Sequence, residues 1–289
     1  MPRSLFADPF VVMGIVNVTP DSFSDGGRYV DASAAIAHGL ELEAEGARIL
    51  DVGGESTRPG AAPVSRPEEL HRVVPVIEGL KSAGTRARIS IDTSKAPVAA
   101  AALSAGATIV NDVTALRGDP GMVDVIAQHQ VDCCLMHMLG EPRTMQRDPH
   151  YDDVVDDVKA FLVARMAFAT SAGVAEERIL LDPGIGFGKT DAHNLELLAR
   201  LDELAALGRP IVIGTSRKSF LGRITGRAVD DRLAATVATN VLAYERGARV
   251  FRVHDAGPIY DALVITAATV RRPWPSTTPM TSTTTTPTG

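Results

Sequence analysis

Residues 210–216 read PIVIGTS, a short β-branched run that ends in small polar residues. A strand that is apolar throughout, rather than at alternate positions, is typical of a parallel sheet buried on both faces. A helical pattern follows this run, as one follows each similar run in the chain. A strand followed by a helix predicts a β/α unit with a right-handed crossover to the next parallel strand.

The same unit recurs from one end of the chain to the other. Eight strands are predicted, and the seven besides PIVIGTS are FVVMGIVN (10–17), RILDVGG (48–54), ARISIDT (87–93), TIVNDVT (108–114), DCCLMHM (132–138), RILLDPGIGF (178–187) and VFRVHD (250–255). Eight units over roughly 260 residues match the usual size of a closed (β/α)8 TIM barrel in the α/β class. An open doubly wound sheet is the alternative, but its clearest mark, a GxGxxG turn after the first strand, is absent.

The segments between the strands carry apolar residues three or four positions apart, which predicts one buried face on each helix. One such face is formed by Leu233, Val237 and Val241. We predict a single barrel domain over residues 1–274. Residues 275–289 hold eight Thr, two Ser and three Pro, so a disordered tail is expected there.

Composition limits the classes of partner. The 289 residues carry a net charge of −6, so no basic surface argues for nucleic acid or an anionic membrane. Adjacent Cys133 and Cys134 lie in an apolar run and are predicted to be core thiols rather than disulfide partners or metal ligands. Neither a signal segment nor an apolar run of membrane-spanning length is apparent, so a cytoplasmic protein is expected.

The predicted strands end in polar residues, and in this fold the chemistry lies at the C-terminal ends of the strands. These ends carry Asn17, Glu55, Asp92, Asn111 with Asp112, His137, Asp182, Ser216 to Lys218, and Arg252 with His254. An Asp or Asn at such a position can instead cap the following helix. Lys and Arg are not N-caps, so the whole set favours a binding or catalytic site.

Cations follow the last two strands. Arg252 and His254 are two positions apart, which places both side chains on one face of a strand and suggests a clamp for phosphate or pyrophosphate. Pairing of these side chains with core carboxylates is the alternative. Lys218, in TSRKS, is either a donor to a ligand oxygen or a solvated charge beside Arg217.

Asp182 lies in the glycine-rich stretch LLDPGIGFGK (180–189). Glycines let the backbone turn tightly and approach a ligand closely, and Phe187 offers a flat apolar face. A tight turn with a core Phe is the alternative interpretation.

Long blocks of the chain together resemble one family. The blocks are MGIVNVTPDSFSDGG (13–27), DVGGESTRPGA (51–61), SIDTSK (90–95), IVNDVTA (109–115), LMHM (135–138), LDPGIGFGKT (181–190), GTSRKSFLG (214–222) and FRVHDA (251–256), and they resemble dihydropteroate synthase, the sulfonamide target of bacterial folate synthesis. The resemblance implies that 6-hydroxymethyl-7,8-dihydropterin pyrophosphate and p-aminobenzoate are joined to give 7,8-dihydropteroate and pyrophosphate. It also implies assistance by Mg2+ and a homodimer.

The resemblance assigns roles around the pterin. The pterin's N–H edge is implied to be bound by Asp92, Asn111 and Asp182, and its ring oxygen by Lys218. Met136, Phe187 and Arg252 resemble the apolar and stacking walls of the slot. A pyrimidine edge offers adjacent N–H donors, which a carboxylate can accept in bidentate fashion, so these residue types suit that ligand.

A second implied set handles the leaving group. Asn17, Arg58, Arg252 and His254 resemble the pyrophosphate-binding residues, and Asn17 supplies a hard oxygen for Mg2+. The family resemblance favours a dissociative, SN1-like loss of pyrophosphate. The arylamine is already nucleophilic at neutral pH, so no general base is nominated.

The resemblance also explains the two long loops after the first and second strands, NVTPDSFSDGG (17–27) and ESTRPGA (55–61). Both are implied to close over the bound pterin pyrophosphate and to exclude water. Asp25 and Arg58 resemble the pair that joins the loops. The p-aminobenzoate pocket is implied to be formed by Phe23, Thr57, Arg58, Pro59, Ser219 and the Lys218 stem.

Two other functions remain open at this point. A pterin-binding methyltransferase domain that serves a corrinoid protein would share the slot, but it would not need TSRKS, the Arg58 loop or a pyrophosphate clamp. A non-catalytic pterin-binding paralogue would keep the barrel without turnover. The motifs do not decide sulfonamide susceptibility.

Overall fold

The eight strands form a closed parallel barrel in the order β1 to β8, as the sequence predicts. The computed structural model describes residues 6, 8–18, 28–56, 60–141 and 144–271, and for Arg28 to Asp31 and Arg271 only the backbone. The strands are β1 Val11–Asn17, β2 Ile49–Gly53, β3 Arg88–Asp92, β4 Ile109–Asp112, β5 Asp132–Met136, β6 Ile179–Asp182, β7 Ile211–Ile213 and β8 Ala248–Val253.

Helices surround the barrel, and each strand is followed by at least one. They are α1 Arg28–Ala44, α2 Arg66–Ser82, α3 Ala96–Ala105, α4 Met122–His129, α5 Val154–Ser171, α6 Asp191–Ala199, α7 Leu201–Ala205, α8 Ser219–Thr225, α9 Leu233–Glu245 and α10 Ala256–Arg271. None of the helices within the described ranges is both long and apolar enough to cross a bilayer.

Alternate residues of each strand point into the barrel. These inward-facing residues are apolar toward the N-terminal ends of the strands and polar toward the C-terminal ends. The apolar end is a closed cluster of Val11, Met13, Ile49, Ile109, Cys134, Leu180, Val212 and Val250. Two positions further along β2, β4, β6 and β8 stand polar residues: Asp51, Asn111, Asp182 and Arg252. This apolar cluster therefore closes the barrel beneath the polar mouth.

Both cysteines are buried and unbridged, as predicted for core thiols. Cys134 points into the barrel, whereas Cys133 packs in the outer layer between the sheet and the helices. Burial, with Asp132 and Asp112 adding to it, raises the pKa of Cys133 to about 12. Neither thiol is therefore a nucleophile at neutral pH.

The predicted inner face of α9 is wrong. Leu233 is exposed, and Val237 and Val241 are only half-buried, whereas the buried face of the helix consists of Thr236, Thr239, Asn240, Ala243 and Tyr244. Polar residues are buried there because they bond to the segment just after β7: the Thr239 hydroxyl donates to Thr215 Oγ1 at 2.8 Å. Asn240 Nδ2 donates to the same oxygen at 3.2 Å.

Some predictions fall outside the described residues. These are the boundary at residue 274, the tail at 275–289, and the loop residues Phe23, Asp25, Thr57, Arg58 and Pro59.

Candidate active site

A buried ion network lies across the floor of the polar mouth. Arg252 Nε donates to Asp51 Oδ2 at 2.6 Å, and its Nη2 donates to Asp92 Oδ2 at 2.7 Å. Asn111 Nδ2 donates to the same Asp51 oxygen at 3.0 Å. The Asp51 and Asp92 side chains are 0% and 7% exposed, whereas that of Arg252 is 23% exposed. The guanidinium therefore links two buried carboxylates on one side and remains accessible from the mouth.

Asp51 is a site residue that the sequence-based prediction missed. It interrupts the apolar run RILDVGG two positions after the inward-facing Ile49, so it too must point into the barrel. A carboxylate buried in a strand needs a charged or hydrogen-bonding partner, so the position of Asp51 could have indicated from the sequence that it belongs to the polar site. Its Oδ1 has no hydrogen-bond partner among the described residues, and neither has the neighbouring Ser90 hydroxyl.

The network shifts the ionisation of its members. Burial raises the pKa of Asp92 to about 7; Arg252 opposes the rise, whereas Asp51, Glu69 and Asp112 add to it. Burial disfavours the charge on Arg252, but Asp51 and Asp92 outweigh it and raise the pKa of the guanidinium. Arg252 therefore stays charged at every pH of interest, while Asp92 gains or loses its proton near neutrality.

The turn after β6 is held rigidly by its own polar groups. Gly184 N–H donates to Asp182 Oδ1 at 2.7 Å, and Phe187 N–H donates to the Gly184 carbonyl at 3.0 Å. Gly186 N–H donates to Asn194 Oδ1 at 2.7 Å. Burial raises the pKa of Asp182, although the Gly184 N–H and the nearby Lys218 oppose the shift. Asp182 thus both shapes the turn and faces the mouth as an acceptor.

One wall of the mouth is apolar and the cation Lys218 lies against it. Val113, Met136, Met138, Met145 and Phe187 form a separate buried cluster there. Lys218 Nζ stands 4.1 Å from the centroid of the Phe187 ring. Lys218 is thus half-buried over this ring, while Arg217 points to a different partner and forms an ion pair with Asp255.

The two predicted clamp residues contact different partners. His254 lies just beyond the end of β8, and its Nδ1 is 3.0 Å from the Ser216 hydroxyl. Arg252 binds Asp51 and Asp92, which bears out the alternative pairing with core carboxylates without removing the guanidinium from the mouth. Ser219 is exposed at the start of α8, directly after Lys218.

Two strand-end residues have structural roles. Glu55 binds Lys95 and accepts from Val64 N–H at 3.0 Å, which joins the two ends of the loop after β2. Asp112 accepts from Thr114 N–H at 2.8 Å and from Leu116 N–H at 2.9 Å. Asp112 thus shapes the turn after β4 and caps no helix, since α4 begins only at Met122. Asp92 and Asn111 do not cap either, because their side chains join the ion network.

Asn17 ends β1 beside Gly53, and Gly53 lies beside Asp92 in the next strand. Asn17 is half-buried and stands in the row of strand ends that carries Asp92 and Asn111. Within the described ranges no group of three or more His, Cys, Asp or Glu residues is placed to hold a metal ion.

Comparison with protein families gives a match over almost the whole barrel. Residues 13–254 match the model of the pterin binding enzyme family. The dihydropteroate synthase of Escherichia coli K12 is 45% identical over 259 residues, which are 90% of this chain and 91% of the relative.

Solved structures agree with this match. Dihydropteroate synthase of Xanthomonas albilineans with 4-aminobenzoic acid superposes with a TM-score of 0.86 at 51% identity, covering 91% of this chain and 94% of that one. The same enzyme in complex with 7,8-dihydropteroate gives a TM-score of 0.83 at 49% identity, over 91% and 95% of the two chains. Both the sequence and the barrel are therefore shared over nearly their full length.

Proposed function

This chain belongs to the pterin binding enzyme family and, within it, to the dihydropteroate synthases, and we propose how its described residues join 6-hydroxymethyl-7,8-dihydropterin pyrophosphate to p-aminobenzoate. One observation carries the proposal. Three buried acceptors, on Asp92, Asn111 and Asp182, share the polar mouth with Lys218 and Arg252.

The pterin pyrophosphate binds first, with its ring in the slot beside Phe187. Asp182 and Asn111 accept from the N–H edge of the pterin, and Asp92 does so when it is ionised. Lys218 donates to the ring oxygen, because its ammonium stands over the Phe187 ring at the edge of the slot. Burial of these acceptors makes the contacts selective, since a ligand without the matching donors would leave them unsatisfied.

Pyrophosphate leaves toward Arg252 on β8 and His254 just beyond its end. Arg252 donates from the guanidinium face that is accessible from the mouth, and His254 donates from its ring at the rim. Positive charge placed where the leaving anion forms lowers the barrier to dissociative cleavage. The amine of p-aminobenzoate then attacks the pterin methylene, and the proton that it loses passes to solvent without a dedicated base.

A magnesium ion fits the donor chemistry at the end of β1. Mg2+ is commonly held by one or two protein oxygens together with substrate phosphates, and Asn17 offers such an oxygen. When bound, the ion supplies further charge stabilisation for the departing pyrophosphate.

The p-aminobenzoate site, we propose, is completed by Phe23, Thr57, Arg58, Pro59 and Ser219, with Asp25 pairing with Arg58. Ser219 is exposed beside Lys218 at the rim of the mouth, which supports its place in this site. A cytoplasmic homodimer also remains part of the proposal, on the family resemblance alone. Light scattering would then give a mass near twice the 30.5 kDa of the chain.

A coupled pyrophosphate-release assay tests the function directly. We expect release that depends on both pterin pyrophosphate and p-aminobenzoate and that rises when Mg2+ is added. Pyrophosphate release without any requirement for p-aminobenzoate would reject the synthase. Binding of the pterin without any turnover would favour the non-catalytic paralogue.

The acceptors of the pterin edge can be tested by calorimetry. Asp182→Ala and Asn111→Ala should each weaken pterin pyrophosphate binding by roughly 1–3 kcal/mol, because a buried N–H would lose its acceptor. Asp152→Ala, which removes a fully exposed carboxylate, is the control and should bind as the wild type does. Unchanged affinity in both site variants would place the pterin elsewhere.

The pKa of Asp92, raised to about 7, predicts a pH dependence. Above this value the carboxylate is ionised and accepts from the pterin; below it the proton occupies an acceptor oxygen. The kcat/KM for pterin pyrophosphate should therefore fall by up to about tenfold for each pH unit below neutrality. Asp92→Asn should lower kcat/KM but remove this inflection. The same inflection in Asp92→Asn would assign it to another group, such as the substrate's own pyrophosphate.

A further inference from the structure

Lys189 is a lysine buried inside the protein, next to the slot but not in it. It is 1% exposed, although lysine is among the residues least often buried. Its Nζ donates to the Phe187 carbonyl at 3.0 Å and lies 2.8 Å from His137 Nδ1. His137 is itself 5% exposed, and its ring packs edge-on against Phe161 at a centroid distance of 4.8 Å.

The protonation states of His137 and Lys189 determine which of the two donates the hydrogen bond between them. Burial, then the charges of Lys189 and Arg117, lower the pKa of His137 to about 2, so its ring is neutral. Burial lowers the pKa of Lys189 to about 7, with Asp182 opposing the shift and Lys218 adding to it. A neutral imidazole accepts through one nitrogen, so Nδ1 accepts from the lysine and the ring proton lies on Nε2.

The pair joins the two sides of the apolar wall. His137 directly follows Met136 at the end of β5, and its N–H donates to the Asp182 carbonyl at 2.9 Å. Lys189 reaches from the turn after β6 and binds the carbonyl of Phe187. Met136 and Phe187 belong to the same apolar cluster, so Lys189 Nζ links the Phe187 backbone to the side chain of His137, the residue directly after Met136.

We propose that Lys189 is a positioning residue that, through His137 and the Phe187 carbonyl, sets the separation of Met136 and Phe187 and thereby the width of the pterin slot. This inference rests on the proposed pterin role of Phe187. Two other side chains bind carbonyls of this turn: Tyr151 donates to that of Gly188 at 2.7 Å, and Gln146 donates to that of Gly186 at 2.6 Å. Of these three side chains, only Lys189 binds the Phe187 carbonyl and also contacts His137 at the end of β5.

Lys189→Met tests the proposal, because methionine keeps most of the volume and removes the donor. We expect the KM for pterin pyrophosphate to rise about tenfold, since small displacements of a substrate wall are costly, while the KM for p-aminobenzoate stays within about twofold. Leu80→Ala is the control. Leu80 is fully buried under α1, away from the mouth, so this variant should lower the melting temperature without moving either KM.

A second pair of variants distinguishes positioning from packing and decides the question if Lys189→Met does not fold. His137→Asn places an acceptor oxygen at the branch position of Nδ1 and should retain the wild-type KM for the pterin substrate within about threefold. His137→Leu lacks the acceptor and should raise it as Lys189→Met does. Equal KM values in the two His137 variants, or an equal rise in both substrates' KM values, would overturn the proposal. A wild-type enzyme that makes no dihydropteroate would instead refute the function itself.

Discussion

Gly184→Ala is expected to abolish measurable turnover and to lower the melting temperature by about ten degrees. Gly184 has a φ of +67°, and a Cβ there would overlap the backbone oxygen of His137 and stand 3.3 Å from Met136 Cγ. The backbone cannot move aside cheaply, because the Gly184 N–H is bonded to Asp182. The loss of stability should exceed about 3 kcal/mol, which calorimetric melting would measure.

Gly208→Ala is the matched control for this prediction. Gly208 has a similar φ of +78°, but an added Cβ would meet nothing within 4 Å. Gly208→Ala should therefore be destabilised only by the left-handed backbone conformation, by about 1–2 kcal/mol, and should leave kcat and both KM values unchanged. If the two variants were equally stable and equally active, crowding against His137 would not be what makes residue 184 a glycine.

Arg252→Met is expected to reduce both stability and turnover. Without the guanidinium, the carboxylates of Asp51 and Asp92 face each other inside the barrel, and breaking such a buried pair costs about 3–5 kcal/mol. Turnover should fall by about 10²–10³, because a donor to the leaving pyrophosphate is lost. Thermal melting and steady-state kinetics measure the two effects separately.

A second substitution separates these two roles of Arg252. Adding Asp51→Asn to Arg252→Met removes one uncompensated carboxylate, so it should recover much of the melting temperature while turnover stays low. Arg200→Met is the control for loss of an arginine. Arg200 pairs with Glu196, Glu203 and Asp153 at the surface, where removal of the arginine should matter little. Recovery of turnover in the double variant would show that Arg252 acts only as a counterion.

The barrel could be predicted because its pattern is local and repeated. A run such as PIVIG has the apolar continuity of a strand buried on both faces, and the helical spacing that follows it defines the β/α unit. Amphipathic spacing was a poorer guide at α9, where Thr236, Thr239 and Asn240 are buried in place of the predicted apolar face. Those side chains are buried because partners 19 to 25 positions away in sequence supply hydrogen bonds: Thr215 bonds to Thr239 and Asn240, and the Arg217 N–H donates to Thr236.

Much of the candidate site could also be predicted, because parallel strands present their C-terminal ends at one mouth. Asp92, Asn111, Asp182 and Lys218 were found in this way, and the structure brings them together. Asp112 follows the same rule but binds its own turn, since a strand-end position does not determine whether a side chain faces the mouth or the next helix. Asp51 was missed because it precedes the strand end.

The sequence alone determined what depends on neighbours along the chain: the eight β/α units, the family motifs, and the polar strand ends. Only the tertiary structure decided which of those polar groups form hydrogen bonds or ion pairs with one another and which line the same wall of the mouth. Arg252 meets Asp51 across 201 positions, and Lys189 meets His137 across 52. Such pairings depend on which strands the closed barrel places side by side and on how deeply it buries each charge. Burial is what makes a long-range partner obligatory, so the partners of Asp51 and Lys189 become visible only when the barrel closes.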